Sequence, residues 1–224
     1  MQIYPIKLGI GRCYLIQGEA GMMLIDGGSP KRVRAFLAAL QKLSLHPSEI
    51  KLITLTHGHW NHIGSAGVIK NVTGAKIAMH REEKERLEKS SKTMLPVATA
   101  WDRFLSGAMT MFLPWCDIPA VEVDIVLEDR DFSLSNYGIP GKILPTPGHS
   151  RGSVSVLLDT GDAFIGDLAM NTFPFYLRPG IPIFAEDMRQ VRESWKRLLD
   201  EGAKTVYPAH GKPFPADVIR KALR

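Results

Sequence analysis

The stretch Thr56-His57-Gly58-His59-Trp60-Asn61-His62 decides how this sequence is read. Its three imidazoles follow directly on the apolar run Lys51–Thr56, which the pattern predicts to be a buried strand. A strand that ends in a turn can aim several side chains at one point, and the glycine between the first two imidazoles relaxes the backbone there. The third imidazole would lie one turn into the following helix. Because neutral imidazole is the commonest protein ligand of zinc and also binds iron and nickel, the stretch predicts a metal site.

Three more segments place chemically active side chains beside glycine or proline at predicted strand ends. They are Pro147-Gly148-His149, Gly166-Asp167 and Ala209-His210-Gly211. Five of the seven histidines therefore stand where loops on a rigid sheet carry function. The other two, His46 and His80, are predicted to be structural, since one precedes Pro47 in a turn and the other precedes a charged helix. Cys13 and Cys116 are predicted to be buried thiols of the core.

Short apolar runs alternate with amphipathic helices along the chain. Runs bounded by glycine, proline or polar residues predict strands over 2–7, 13–17, 22–25, 51–56, 75–79, 121–127, 132–134, 142–144, 153–158, 163–165 and 205–207. Helical spacing predicts helices over 33–43, 61–70, 81–113, 188–199 and 216–223. Two runs of strands, each interleaved with helices, predict an α/β protein with two sheets packed face to face and helices outside. One domain over residues 1–224 is expected.

Composition narrows the class of function. A chain of 224 residues with 45% hydrophobic residues can bury one sizeable core. The formal net charge of +5 would attract anionic substrates, but the basic residues are scattered and form no aromatic-interleaved stripe, so nucleic-acid binding is not expected. No run of about 18 apolar residues and no signal-like N-terminus is seen, so neither membrane insertion nor export is expected, and a cytoplasmic location is.

Taken in order, these marks resemble the metallo-β-lactamase superfamily of hydrolases. The resemblance is carried by Leu24-Ile25-Asp26-Gly27-Gly28, the histidine cluster, Pro147-Gly148-His149, Gly166-Asp167 and Ala209-His210-Gly211. It extends from about Leu24 to Gly211, which is nearly the whole chain. It implies an αββα four-layer sandwich with a dinuclear metal centre at one edge between the sheets.

The resemblance also implies a role for each residue of the centre. The first metal would be held by His57, His59 and His149, the second by His62, His210 and position 61, and Asp167 would bridge the two. Asp26 would orient a ligand imidazole through a hydrogen bond. One or two zinc ions are the expected cofactor, with iron or manganese as alternatives.

Position 61 departs from the family pattern, which has aspartate where this chain has Asn61. An amide oxygen is neutral, coordinates more weakly than a carboxylate and is not a useful base. Because Asn61 and Asp167 occupy the two catalytic carboxylate positions, the change is expected to weaken the second site and lower activity. Three explanations stay open: natural divergence to a lone or asymmetric metal site, adaptation of an active enzyme to a neutral ligand, or a deliberate inactivating substitution.

The reaction implied by the resemblance is hydrolysis, in which a metal-bound hydroxide attacks an electrophilic carbon or phosphorus. We expect neither the export signal of a secreted β-lactamase nor the C-terminal helical region of a glyoxalase II-like enzyme. We also expect neither the RNA-binding arm of an RNase Z-like enzyme nor the flavin domain of a flavodiiron protein. A hydrolase of a small ester, lactone or thioester remains. Acyl-homoserine-lactone hydrolases are similar, but some carry a tyrosine close after the bridging aspartate, where this chain has Met170 and Asn171. A catalytically impaired module that binds a metal or ligand and an iron-dependent oxidative member of the fold are the alternatives.

Two apolar segments are unusually rich in methionine and aromatic residues. They are 94–119, which includes Trp101, and 173–177, which includes Phe175. We hypothesise that both line an apolar substrate gorge or form the contact of a homodimer above the metals. A pair of core helices is the alternative interpretation of the first segment.

Overall fold

Two six-stranded sheets form the centre of the computed structural model, which describes residues 1–90, 118–171, 180–182 and 184–223. The first sheet contains β1 (Gln2–Lys7), β2 (Arg12–Gln17), β3 (Met22–Ile25), β4 (Ile50–Thr54), β5 (Lys76–His80) and β6 (Ile125–Leu127). The second contains β7 (Phe132–Ser133), β8 (Gly141–Pro145), β9 (Val154–Leu158), β10 (Asp162–Gly166), β11 (Thr205–Pro208) and β12 (Phe214–Pro215). In both sheets spatial neighbours are also neighbours in sequence, so each half of the chain builds one sheet.

Six α-helices accompany the strands in the part of the chain that the structure describes. They are α1 (Val33–Lys42), α2 (Trp60–Ile63), α3 (Ala66–Thr73), α4 (Arg81–Glu88), α5 (Met188–Asp200) and α6 (Asp217–Ala222). All but α6 lie in the connections between parallel strands. The β3–β4, β4–β5, β5–β6 and β10–β11 pairs are parallel, and parallel neighbours require a crossover rather than a hairpin. None of the helices within the described residues has both the length and the apolar character needed to cross a bilayer.

Three clusters of buried apolar side chains define the layers. One lies between the first sheet and its helices and includes Phe36 of α1 and Ile69 of α3. A second lies between the second sheet and α5, around Trp195. The third joins the two sheets and contains Ile16 from β2 and Phe164 from β10. The result is an αββα four-layer sandwich, as the sequence predicts.

Strand β2 shows why the sequence folds into these layers. Its side chains alternate between the two faces of the sheet, as the pleat of a strand requires. Cys13 and Leu15 pack on the helical side, whereas Tyr14 and Ile16 pack between the sheets. Because both faces are covered, the strand is nearly continuous in apolar residues rather than alternating with polar ones.

The structure corrects the predicted helix over 61–70, which is interrupted between α2 and α3 at Gly64 and Ser65. The Ser65 hydroxyl donates to the Ser29 carbonyl oxygen at 2.6 Å and accepts from the Arg32 amide at 2.9 Å. These two contacts fix the break against the entry to α1. They join residues far apart in sequence, so helical spacing alone does not reveal them.

The predicted strand over 121–127 is shorter than expected and comprises only β6. Asp124 ends the pairing, because its carboxylate accepts the Ile77 amide at 2.7 Å and its own amide donates to the Ile77 carbonyl at 3.0 Å. Strand β12 was not predicted from the sequence. Its two residues, Phe214 and Pro215, are too few to give a periodic signal.

Trp195 anchors α5 to the turn that carries Asp167. Its ring is buried, and its indole N–H donates to the Leu168 carbonyl oxygen at 3.0 Å. Replacing it with alanine (Trp195→Ala) is expected to lower the free energy of unfolding by about 3–5 kcal/mol through loss of packing. Urea unfolding followed by circular dichroism measures this, and Lys196→Ala, at an exposed position of the same helix, is the control. A loss no larger than in the control would contradict the anchoring role.

Candidate metal centre

The predicted ligands meet at one edge of the sandwich, between the sheets. From the first sheet, the chain after β4 supplies His57 and His59, and α2 supplies Asn61 and His62, with His59 at the position before its first turn. From the second sheet, the turn between β8 and β9 supplies His149, and the ends of β10 and β11 supply Asp167 and His210. Since β10 and β11 are parallel, their carboxyl ends lie at the same edge.

Four side chains form the first group, with one donor atom from each within 4.8 Å of all the others. The Nδ1 atom of His59 lies 2.9 Å from Nε2 of His57 and 3.1 Å from Nε2 of His149. The Oδ2 atom of Asp167 lies 3.9 Å from His57 Nε2 and 3.7 Å from His149 Nε2. In a tetrahedral zinc site with ligands at about 2.0–2.1 Å, the ligand atoms are about 3.3–3.4 Å apart. The group has the dimensions of such a site.

Hydrogen bonds behind two of these imidazoles determine which nitrogen faces the group. The Nδ1 atom of His149 lies 2.6 Å from the Phe184 carbonyl oxygen, which can only accept, so Nδ1 carries the proton. The Thr56 hydroxyl donates its proton to Asp26 Oδ1 at 2.9 Å. It therefore accepts from Nδ1 of His57, which lies 3.1 Å away. Both imidazoles therefore present a lone pair on Nε2 to the group. Lone pairs that converge in this way repel one another unless a cation or proton lies between them.

A second group forms around the other carboxylate oxygen of Asp167. The Nε2 atoms of His62 and His210 each lie 3.4 Å from Asp167 Oδ1. The amide nitrogen of Asn61 lies 3.2 Å from His210 Nε2. Both His62 Nε2 and Asp167 Oδ1 are buried without a hydrogen-bond partner among the described residues. Orphaned atoms of this kind are costly, and a bound cation would satisfy both.

Asp26 lies behind the histidine cluster, where the sequence places it. Its Oδ2 atom accepts from His62 Nδ1 at 2.8 Å, and its Oδ1 atom accepts from the Thr56 amide at 2.8 Å. The residue is 2% exposed, and its φ of 63° is in the left-handed region. Such strain in a non-glycine residue persists only where surrounding contacts impose it. The geometry matches the role of holding the His62 ring so that Nε2 faces Asp167.

Burial and charge separate the protonation states within the cluster. Burial and neighbouring imidazoles lower the pKa values of His57 and His59 well below their usual value, and burial lowers the pKa of His149. Burial also disfavours charged His62, but Asp167 and Asp26 outweigh it and raise the pKa of His62 to about 10. The two carboxylates thus favour a positive charge at this position, which a metal ion would provide in place of the proton.

The remaining histidines, His46 and His80, and the cysteine Cys13 lie outside the cluster. His46 is exposed and caps the short turn Pro47–Glu49. His80 is buried, with its Nε2 atom 3.3 Å from Asp129 Oδ1. Cys13 is buried, which raises the pKa of its thiol. All three occupy structural positions, whereas Cys116 lies outside the described residues.

The sequence does not reveal one residue that contacts the site, and two segments predicted to lie near it are outside the described residues. Glu83 of α4 contacts the backbone of two ligand loops, yet its position in a charged helix predicts only a solvated side chain. The apolar segments expected to line a gorge or dimer contact, including Trp101, Phe175 and nearly all of 94–119, lie outside the described residues.

A four-layer αββα sandwich with a buried cluster of histidines and an aspartate at one sheet edge defines the metallo-β-lactamase fold. Residues 6–210 match the model of the family described as the metallo-beta-lactamase superfamily, and the chain belongs to that superfamily.

Curated relatives differ in length and in what their names state. The chain is 28% identical to a metallo-beta-lactamase fold-containing protein of Sulfurisphaera tokodaii, over 96% of this chain and 78% of that one. It is 25% identical to the beta-lactamase-like protein 2 homolog of Drosophila melanogaster, over 88% of this chain but only 57% of that one. It is 27% identical to the hydroxyacylglutathione hydrolase GloC of Haemophilus influenzae, over 78% of this chain and 76% of that one. The chain thus spans little more than half of the Drosophila relative.

Solved structures share the same fold. The B3 metallo-beta-lactamase BLEG-1 superposes with a TM-score of 0.72 at 20% identity, over 98% of this chain and 97% of that one. An archaeal metallo-beta-lactamase superfamily protein, ST1585 from Sulfolobus tokodaii, superposes with a TM-score of 0.69 at 24% identity, over 99% of this chain and 84% of that one. At these identities the likeness shows the fold alone.

Proposed function

We propose that this chain is a metal-dependent hydrolase of small carboxylic esters, lactones or thioesters. The observation that carries the proposal is the convergence of two donor groups on the two oxygens of one buried carboxylate, Asp167. The orphaned atoms His62 Nε2 and Asp167 Oδ1 fit a second cation beside the first. When bound, such cations polarise a carbonyl group and lower the pKa of a coordinated water.

The protein residues hold the centre in a state that is ready for a cation. The lowered pKa values of His57, His59 and His149 leave these imidazoles neutral near pH 7, as metal ligation requires. Burial alone would raise the pKa of Asp167, but His210 and His62 outweigh it and hold the pKa well below the usual range. Three neutral nitrogens and one carboxylate suit zinc, and they also suit iron or manganese.

Substrate would approach from the side of the second group. The His210 side chain is 16% exposed, whereas those of His57 and His62 are only 1% exposed. Asn61 is buried but contacts His210, so it lies beside the more exposed ligand of the centre. An amide there can donate a hydrogen bond to a substrate oxygen, but it cannot take up a proton. Asn61 therefore limits this side to positioning.

A small anionic thioester is the first substrate to test. The likeness to a hydroxyacylglutathione hydrolase supports a thioester, and the net charge of +5 favours an anionic molecule. Nucleic acid and membrane are not proposed as partners, and a homodimer formed through the apolar segments remains a proposal. One observation, the neutral Asn61 in the second group, favours a second candidate, a metal- or ligand-binding module with little turnover.

Metal content and hydrolysis of a substrate panel test the proposal together. We expect the purified protein to retain zinc, iron or manganese after dialysis and to hydrolyse at least one ester, lactone or thioester. His59→Ala should lose metal and activity, because His59 Nδ1 contacts both His57 and His149. The matched control His46→Ala removes an exposed imidazole and should change neither.

The outcomes separate the candidates. Bound metal without turnover on any member of the panel favours the binding module. Bound iron with oxygen-dependent activity favours the oxidative alternative. A folded protein that binds none of the three metals contradicts every metal-dependent function for this chain.

A further inference from the structure

Glu83 of α4 accepts hydrogen bonds from both loops that supply the first group. Its Oε2 atom accepts from the Gly58 amide at 2.9 Å, and its Oε1 atom accepts from the Gly152 amide at 3.3 Å. Gly58 lies between His57 and His59, on the loop that leaves the first sheet. Gly152 lies in the turn of His149, which belongs to the second sheet. One carboxylate therefore joins the loops of the two sheets behind the metal centre.

The carboxylate of Glu83 is buried, which makes this arrangement costly unless it is fully paired. Glu83 is 1% exposed, and Arg86 Nη1 lies 2.9 Å from its Oε2 atom. Each oxygen thus has a backbone donor, and the negative charge has a partner one turn along the helix. The preceding residue, Glu82, has 46% of its side chain exposed and pairs with exposed Arg81. The burial of Glu83 is therefore specific to its position.

Close packing of α4 explains the two glycines. A Cβ atom at Gly58 would lie 2.6 Å from Glu83 Oε2 and 2.5 Å from Arg86 Cδ, and one at Gly152 would lie 2.6 Å from Glu83 Cγ. Neither glycine has a positive φ. The requirement for Gly58 is thus room for the approach of α4, not the backbone freedom that the sequence suggests.

We propose that Glu83 is a positioning residue that fixes the distance between the His57–His59 loop and the His149 turn. The proposal rests on the proposed metal-dependent function. It explains how imidazoles from opposite sheets, His59 and His149, are held with nitrogens 3.1 Å apart in the first group. Without this link each loop would relax independently, and the first group would lose the separation that a cation needs.

Glu83→Gln tests the proposal, because a glutamine side chain carries one acceptor oxygen and one NH₂ donor. It can satisfy only one of the two glycine amides, and it leaves Arg86 without its charge partner. In metal-free protein we expect faster amide exchange in both loops, 57–59 and 148–153, with little change elsewhere. In chelator competition, we expect zinc affinity to fall by about tenfold to a hundredfold, the usual effect of losing a residue that supports a ligand. Glu82→Gln is the matched control and should change neither.

Glu83→Asp provides a second variant that keeps the charge if the glutamine variant does not fold. Its shorter side chain cannot reach both loops, so exchange should rise in at least one of them. Normal exchange in both loops with zinc affinity within twofold of the original protein would overturn the proposal, as would uniform destabilisation with unchanged affinity. If the loops loosen and zinc affinity falls but neither the variant nor the original protein hydrolyses any substrate, Glu83 keeps its role and the hydrolase proposal fails.

Discussion

Asp167→Asn should abolish tight metal binding and hydrolysis together. Its carboxylate is the one described group that faces both sets of imidazoles, with Oδ2 3.7 Å from His149 Nε2 and Oδ1 3.4 Å from His62 Nε2. The amide keeps the volume of the side chain but removes the negative charge and turns a donor toward one set. Since loss of a supporting residue alone costs about tenfold to a hundredfold in metal affinity, we expect a loss of more than about a hundredfold here.

Chelator competition with zinc and rates on the best substrate of the panel measure this effect. The matched control is Asp187→Asn, which makes the same chemical change at the start of α5. There the side chain accepts from the Arg189 amide at 2.8 Å, a position where asparagine and aspartate stabilise a helix about equally. Zinc binding of normal strength by the Asp167 variant would show that the cation does not lie between the two groups.

Local rules in the sequence predict the two-sheet fold, and the resemblance to the superfamily predicts that the site residues meet at one edge of it. Apolar runs of the right length define the strands, and polar side chains beside glycine or proline mark their ends. Asp167 and His210 follow strands whose parallel pairing brings their carboxyl ends together. The αββα architecture and the membership in the superfamily are confirmed. The assignment of individual metal ligands remains a prediction, which the geometry supports.

What the sequence does not reveal depends on contacts between distant residues. Glu83 lies 25 residues from Gly58 and 69 from Gly152, and nothing in the charged helix around it indicates burial. The carbonyl group that orients His149 belongs to Phe184, 35 residues away in an irregular segment. Periodicity records which face of an element is buried, but not which loop packs against it. Supporting residues of a site are therefore harder to predict than its ligands.

Asn61→Asp should strengthen the second metal site and raise turnover. The amide nitrogen of Asn61 lies 3.2 Å from His210 Nε2, and the residue is only 7% exposed. A carboxylate there adds a buried negative charge close to the group that contains Asp167. Without metal, the two carboxylates repel, so the free energy of unfolding should fall by about 1–2 kcal/mol. With metal, the added charge is attracted to the cation, so the affinity of the second site should rise by about tenfold or more.

The increase in melting temperature on addition of zinc should therefore be larger in Asn61→Asp than in the original protein, because ligand binding stabilises the folded state in proportion to the logarithm of affinity. Asn136→Asp, at an exposed position, makes the same chemical change and should leave this increase unaltered.

Metal content and turnover on the substrate panel then separate the explanations of Asn61. A rise in both means that the asparagine limits an otherwise complete hydrolytic centre. Tighter metal binding with lower turnover means that the enzyme is adapted to a neutral ligand, and no change in either means that position 61 does not contact the second cation.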